Sequence, residues 1–270
     1  MSKSKNTEAI LQLGINYIHG LGVEKDPKKA VALFKEAADL GDVQAMIYLS
    51  ICYEYGVGVP EDVENAYEFL SKAVEEFGEP VVLVLARTLL AGVITDKGIE
   101  KGLEITNEMA EGGIAEAQYF LGVFYIDGRH VKPDMELAIK WLTKAAKKGY
   151  AEAQNTLGYF YAEGIGLSKD TKKAVKYIKL AGEQGNAKAQ NALGKMYATG
   201  SLVRKNEKKA FEWFQKAAEQ GDAAGQCSLG ICYSLGLGVA KDDEKALKWW
   251  EKAAEQGNAK AKELLAKFND

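Results

Sequence analysis

Ala153-Gln154-Asn155-Thr156-Leu157-Gly158-Tyr159-Phe160-Tyr161-Ala162-Glu163-Gly164 is followed by Ile165-Gly166-Leu167-Ser168-Lys169-Asp170, then by Lys173-Ala174-Val175-Lys176-Tyr177-Ile178. The pattern returns every 36 residues without a gap. Leu13, Leu49, Leu85, Leu121, Leu157, Leu193, Leu229 and Leu265 share one position, and Gly20, Gly56, Gly92, Gly128, Gly164, Gly200 and Gly236 another. A fixed period of this length marks a solenoid, in which each unit buries its apolar face only against its neighbours.

Each unit predicts two helices. In the best-formed unit the first runs from about Ala151 to Glu163, with Ala153, Leu157, Phe160 and Tyr161 at the spacing of one helical face. Gly164 suits the left-handed position that ends a helix. The second helix begins at a cap, Asp26, Asp62, Asp134, Asp170 or Asp242, with Asn206 in the sixth unit. An Ala then recurs at 30, 66, 138, 174, 210 and 246, one turn before a bulky pair such as Trp141-Leu142, Trp213-Phe214 or Trp249-Trp250. Small against large lets two helices approach and still fill the space between them. Glycine inside the first helices, at Gly14, Gly122, Gly158, Gly194 and Gly230, costs about 1 kcal/mol each relative to Ala, so its recurrence predicts a contact too close for a Cβ.

The unit at about 77–112 departs from the pattern. It has Gly78 one place late, Ala86 for Gly, Leu89 for Tyr, Gly98 for the capping Asp and Thr106 for the large apolar residue. It is either a degenerate unit or a bend or contact site. Residues 1–6 read as a short tail before a single array over 7–270, and Asn258 to Asp270 as a first helix without a partner, with the polar face of a terminal cap.

The chain is 47% hydrophobic and 27% charged, with a formal charge of -3. That charge hides a gradient: residues 1–150 hold 16 Lys and Arg against 23 Asp and Glu, and 151–270 hold 19 against 15. No Lys or Arg stripe of the kind that neutralises phosphates appears, so no nucleic-acid partner is expected. The start lacks a signal-peptide apolar core, and no run is long enough to span a bilayer, so the expectation is a soluble, cytoplasmic protein with no membrane partner. Three cysteines argue against a disulfide framework. Cys227 and Cys232 diverge by about 140° on one helix, and these two and Cys52 read as buried or half-buried thiols.

The string Leu157-Gly158-x-x-Tyr161-x-x-Gly164-x-Gly166, then Asp170-x-x-x-Ala174, a bulky pair and Ala181 before Gly185, resembles the Sel1-like repeat, a relative of the tetratricopeptide repeat. The resemblance covers nearly the whole chain. It implies an all-α, right-handed superhelical solenoid of seven helix-turn-helix units plus a C-terminal capping helix. It also implies a scaffold or adaptor role, often bacterial, with motif residues that are structural. One disulfide-rich subgroup of the family carries a cysteine pair per repeat and is linked to penicillin binding; this chain lacks those pairs.

Catalytic and ligand chemistry finds little to stand on. His19 and His130 lie in different units at non-equivalent positions and lack the clustered ligands of a metal site. No adjacent units supply a nucleophile, base and orienting group. The Gly-x-Gly loops at Gly22, Gly58, Gly166 and Gly238 follow no strand, and turn geometry accounts for them. No enzyme activity, cofactor or metal is expected.

The positions that vary while the scaffold does not are the informative ones. With Leu157 facing the core, positions 155 and 159 point about 160–200° away, toward the side that lines the concave surface of a tetratricopeptide-like solenoid. The candidate partner-binding residues there are Ile15, Ile47, Ile51, Leu83, Arg87, Tyr119, Val123, Asn155, Tyr159, Asn191 and Lys195, with Tyr48 beside them; Leu11, Cys227 and Ile231 occupy the same two positions. Much of this strip is apolar, and a contiguous exposed apolar strip marks a partner site. The competing explanation is burial against adjacent first helices. The expectation is a protein or peptide partner held in the groove, with Tyr119, Tyr159 and Ile51 as anchors. A bacterial immunity factor or inhibitor that covers a secreted toxin is the sharper form, and an enzyme acting on peptidoglycan or a β-lactam the alternative from another class.

Overall fold

The structure, a computed structural model, describes residues 3–77, 96–128 and 131–269. Its described residues form fourteen helices and no strand. Residues Met1–Pro133 make one compact unit and Asp134–Asp270 a second. The first unit contains α1 (Lys3–His19), α2 (Pro27–Asp39), α3 (Val43–Glu54), α4 (Val63–Phe77), α5 (Asp96–Glu111) and α6 (Ala115–Asp127). The second contains α7 (Met135–Lys147), α8 (Ala151–Glu163), α9 (Thr171–Glu183), α10 (Ala187–Thr199), α11 (Glu207–Glu219), α12 (Ala223–Leu235), α13 (Asp243–Glu255) and α14 (Ala259–Asn269). Consecutive helices pack as hairpins in both units, α1 on α2, α3 on α4, α8 on α9, α10 on α11 and α12 on α13; α2 packs on α3, α9 on α10, α11 on α12 and α13 on α14. Helix α1 already begins at Lys3, within the segment expected as a tail.

Hairpin geometry follows from the repeated residues. Gly164 closes α8 in the left-handed region, at φ 77°, and its N–H donates to Phe160 O at 2.8 Å. Six residues on, the Asp170 side chain accepts from Lys173 N at 2.9 Å while its own N–H donates to Tyr161 O at 3.0 Å. One residue thus caps α9 and ties the loop back to α8. Asp26, Asp62, Asn206 and Asp242 do the same against Tyr17, Tyr53, Tyr197 and Tyr233. The backbone N–H bonds hold the Asp170 and Asp62 carboxyls below the usual range, Asp62 with further help from the Asn65 side chain.

The mid-helix glycines answer the predicted close approach. A Cβ on Gly158 would collide with Ile178 Cγ1 and lie 3.2 Å from Ala174 O, on the neighbouring α9. The alanines of the second helices are buried opposite, Ala138, Ala174, Ala210 and Ala246 among them, and Leu142, Phe214 and Trp250 fill the remaining space. The leucine ladder is buried at Leu49, Leu121, Leu157, Leu193 and Leu229. Leu13 departs from it at 38% exposed, on a helix that no other precedes among the described residues.

A glutamine ladder adds polar joints that the sequence reading passed over. Gln118, Gln154, Gln190 and Gln226 are all buried, and each donates its amide to a carbonyl eight residues earlier, at Ala110, Ala146, Gly182 and Ala218. These carbonyls sit at the C-terminal ends of second helices, where four per helix lack an intrahelical donor. Gln154, Gln190 and Gln226 then accept from Gln184, Gln220 and Gln256 at 2.7, 2.6 and 2.8 Å. Gln118 Oε1 is buried without a hydrogen-bond partner, and the residue thirty positions on is Lys148. The available signal was glutamine at the same 36-residue period as the leucines.

The degenerate unit is described only from Asp96. Helix α5 begins there, two residues before the Gly98 that stands at the cap position. Thr106, in place of a large apolar residue, is buried, and its hydroxyl donates to Gly102 O at 2.7 Å, so the substitution leaves no polar group unsatisfied.

Candidate interaction face

The candidate strip divides by burial. On α3, Ile47, Tyr48 and Ile51 are 0%, 4% and 1% exposed. Eight consecutive residues, Ala45 to Cys52, are buried there, as a helix that is apolar on every side requires. Tyr48 stacks on Phe34 with ring centroids 4.9 Å apart, and the same cluster gathers Leu11, Ile18, Met46 and Leu49. Ile51 therefore offers no surface to a partner: in α3 the competing explanation, packing, describes the side chains. Ile15 is half-buried against this cluster. Leu83, Arg87 and His130 lie outside the described residues.

On α6, Tyr119 and Val123 are half-buried, and the Tyr119 ring lies 5.8 Å from that of Phe120 at 56°. On α8, Tyr159 is 55% exposed and Asn155 is half-buried one turn before it. On α10, Lys195 is exposed, whereas Asn191 is buried and accepts from Ser228 Oγ at 3.2 Å. Asn191 thus joins α10 to α12 and is occupied by that joint. Cys227 is buried and Ile231 half-buried on α12.

The three thiols are free and buried. Burial pushes Cys52 up to about 12 and Cys232 up to about 11. It also raises Cys227, opposed by the positive charges of Lys260 and Lys195. Thiols so protonated are poor nucleophiles. Among the described residues no group of three or more His, Cys, Asp or Glu is placed to hold a metal ion. No described helix is long and apolar enough to cross a membrane.

The edge of each hairpin carries a second recurring arrangement. Lys173 Nζ stands 4.9 Å from the Tyr161 ring centroid and 3.5 Å from Asp170; Lys29 and Lys245 repeat this over Tyr17 and Tyr233. Lys144, Lys216 and Lys252 cover Trp141, Trp213 and Trp249 at 3.9, 4.4 and 4.4 Å. These contacts shield half-buried rings with lysine stems and serve the scaffold.

Helical hairpins repeated at a fixed period, with caps, small-for-large pairs and polar joints at constant positions, define an α-solenoid. The Sel1 repeat family matches residues 7–42, 43–76, 115–150, 151–186, 187–222 and 223–258, and the chain belongs to that family. The matches skip the stretch that the sequence sets apart as degenerate. Among solved structures, a Sel1 repeat protein from Oxalobacter formigenes is 33% identical with a TM-score of 0.66, over 97% of this chain and 76% of that one. The c5321 protein, a protective antigen of uropathogenic Escherichia coli with the same fold, is 30% identical with a TM-score of 0.63 over 96% of this chain; this chain covers 56% of that one. No curated protein matches the chain. Sel1 repeat proteins are generally non-enzymatic protein-interaction scaffolds.

Proposed function

We propose that this chain is a non-enzymatic scaffold that holds a segment of a partner protein on the outward face of its first helices in the second unit, with Tyr159 as anchor and Asn155 and Lys195 beside it. The exposure of Tyr159 carries this reading. The repeat asks only that position 159 face away from Leu157, and a polar residue would satisfy that at no cost; a half-exposed aromatic is the side-chain type that contributes most at protein interfaces. Family membership supports the same role, and the motif residues, all committed to caps and packing, leave this face as the part of the hairpin free to vary.

Affinity purification with quantitative mass spectrometry tests the reading, with wild type compared with Tyr159→Ala. The expected result is a partner enriched on the wild-type chain and depleted on the variant at equal protein recovery. Equal enrichment on both would remove Tyr159 from the interface and the reading with it.

A further inference from the structure

We propose that the outward face of α10, α12 and α14 takes an acidic segment of a partner, whose central apolar side chain seats against Ile231 and Leu235 while carboxylates on either side reach Lys195 and Lys260. The proposal rests on the interaction reading above and adds the chemistry of the occupant.

Three adjoining rows build the face. Helix α10 joins α12 through the Ser228–Asn191 hydrogen bond, and α12 and α14 share one buried cluster that holds Cys227 and Ala261, with Ile231, Leu264 and Leu265 packed against it. The α10 row presents Lys195, exposed. The α12 row is apolar and uncharged, with Ile231 half-buried and Leu235, one turn on, 65% exposed. The α14 row presents Lys260 and Lys267 around Glu263, which accepts from both at 3.0 and 2.6 Å. One carboxylate shared between two ammonium groups leaves this row net positive. Lys195 and Lys260 both act on the Cys227 thiol from their separate helices, so the middle row lies within the field of each.

The order of the rows is therefore cation, apolar, cation, and the complementary segment is carboxylate, apolar, carboxylate. The spacing follows from the helices. Packed helix axes lie about 8–10 Å apart, and a polyproline II segment rises about 3.1 Å per residue with about three residues per turn, so acidic residues about three positions to either side of the apolar one match the rows and share its face. Helix α8 carries Glu152 and Glu163, which disfavour sliding of an acidic segment in that direction.

Fluorescence anisotropy with the full chain tests this. The probes are labelled extended peptides with a central Leu and Glu three residues to each side, and the same peptides with Gln or Lys in place of Glu. The expected result is saturable binding of the Glu peptide, weakened at least about tenfold by Gln, by Lys195→Glu combined with Lys260→Glu, or by raised salt. The double variant replaces exposed side chains and should keep the wild-type melting temperature. Equal binding of the Glu and Gln peptides, preference for Lys, or no binding of any peptide would overturn the acidic occupant. Partner capture that depends on Tyr159 would survive those outcomes, so the two readings fail separately.

Discussion

Helices α3 and α8 occupy the same place in their hairpins, yet one is enclosed and the other shows a face. Positions 47 and 51 of α3 are isoleucines inside a core; the equivalent positions of α8 are Asn155 and Tyr159, half-buried and exposed. The hairpin tolerates both, because its fold depends on Leu, Gly, Tyr and the capping Asp and not on this face. What varies there is thus enclosed by its surroundings in one case and left open to solvent in the other.

Truncating Ile51 breaks the comparison most sharply. Ile51→Ala removes a fully buried side chain and should cost about 2–5 kcal/mol in equilibrium denaturation. A loss below about 1 kcal/mol would mean that α3 is not enclosed and that its strip is a surface after all.

The next effect concerns how closely each helix meets its partner. At the position of Gly158, α3 carries Ser50, whose hydroxyl donates to Ile47 O at 2.9 Å, so that site has room for a Cβ. Gly158→Ala forces Ile178 aside and should destabilise by about 1–3 kcal/mol even though Ala is the better helix former. A stabilised variant, seen as a higher melting temperature, would show that α8 and α9 are less tightly docked than described.

Acid should act on both regions alike. Asp62 follows α3 and Asp170 follows α8, and both carboxyls are held down chiefly by backbone N–H bonds at the next helix. A depressed folded-state pKa adds stability above the unfolded value and loses it as pH falls through the folded one. The melting temperature should therefore stay level from about pH 7 to 5 and decline below about pH 4. Asp62→Asn with Asp170→Asn should flatten part of that decline, since Asn206 shows that the neutral amide still caps. An unchanged acid limb in the double variant would assign the decline to other carboxylates.

The smallest effect is the one at Tyr159. Tyr159→Ala should leave stability within about 0.5 kcal/mol of wild type in the same denaturation assay. A larger loss would give Tyr159 a packing role like that of Ile51.

Much of this contrast was hidden in the sequence, while the fold was plain. Period, hairpin boundaries, the capping residues and the close contact at Gly158 follow from residue types whose conformational needs are local. Burial of the variable face does not, because Ile47 and Ile51 suit an exposed apolar groove as well as a core, and only the neighbouring helices decide between them. Tyr48 and Phe34 could have given the hint, since α3 is apolar all round whereas α8 keeps Asn155 and Glu152 on one side. The glutamine ladder was legible as a period but not as a set of joints, because its acceptors are backbone carbonyls that no side-chain pattern announces.

Site-specific photo-crosslinking tests the central claim most directly, with a photoreactive phenylalanine placed at Tyr159 in one chain and at Leu180 in another. Both positions are exposed, the first on the outward face of α8 and the second on α9. The account predicts that a partner protein is captured from position 159 and not from position 180. Equal capture from both positions, or capture from 180 alone, would contradict it.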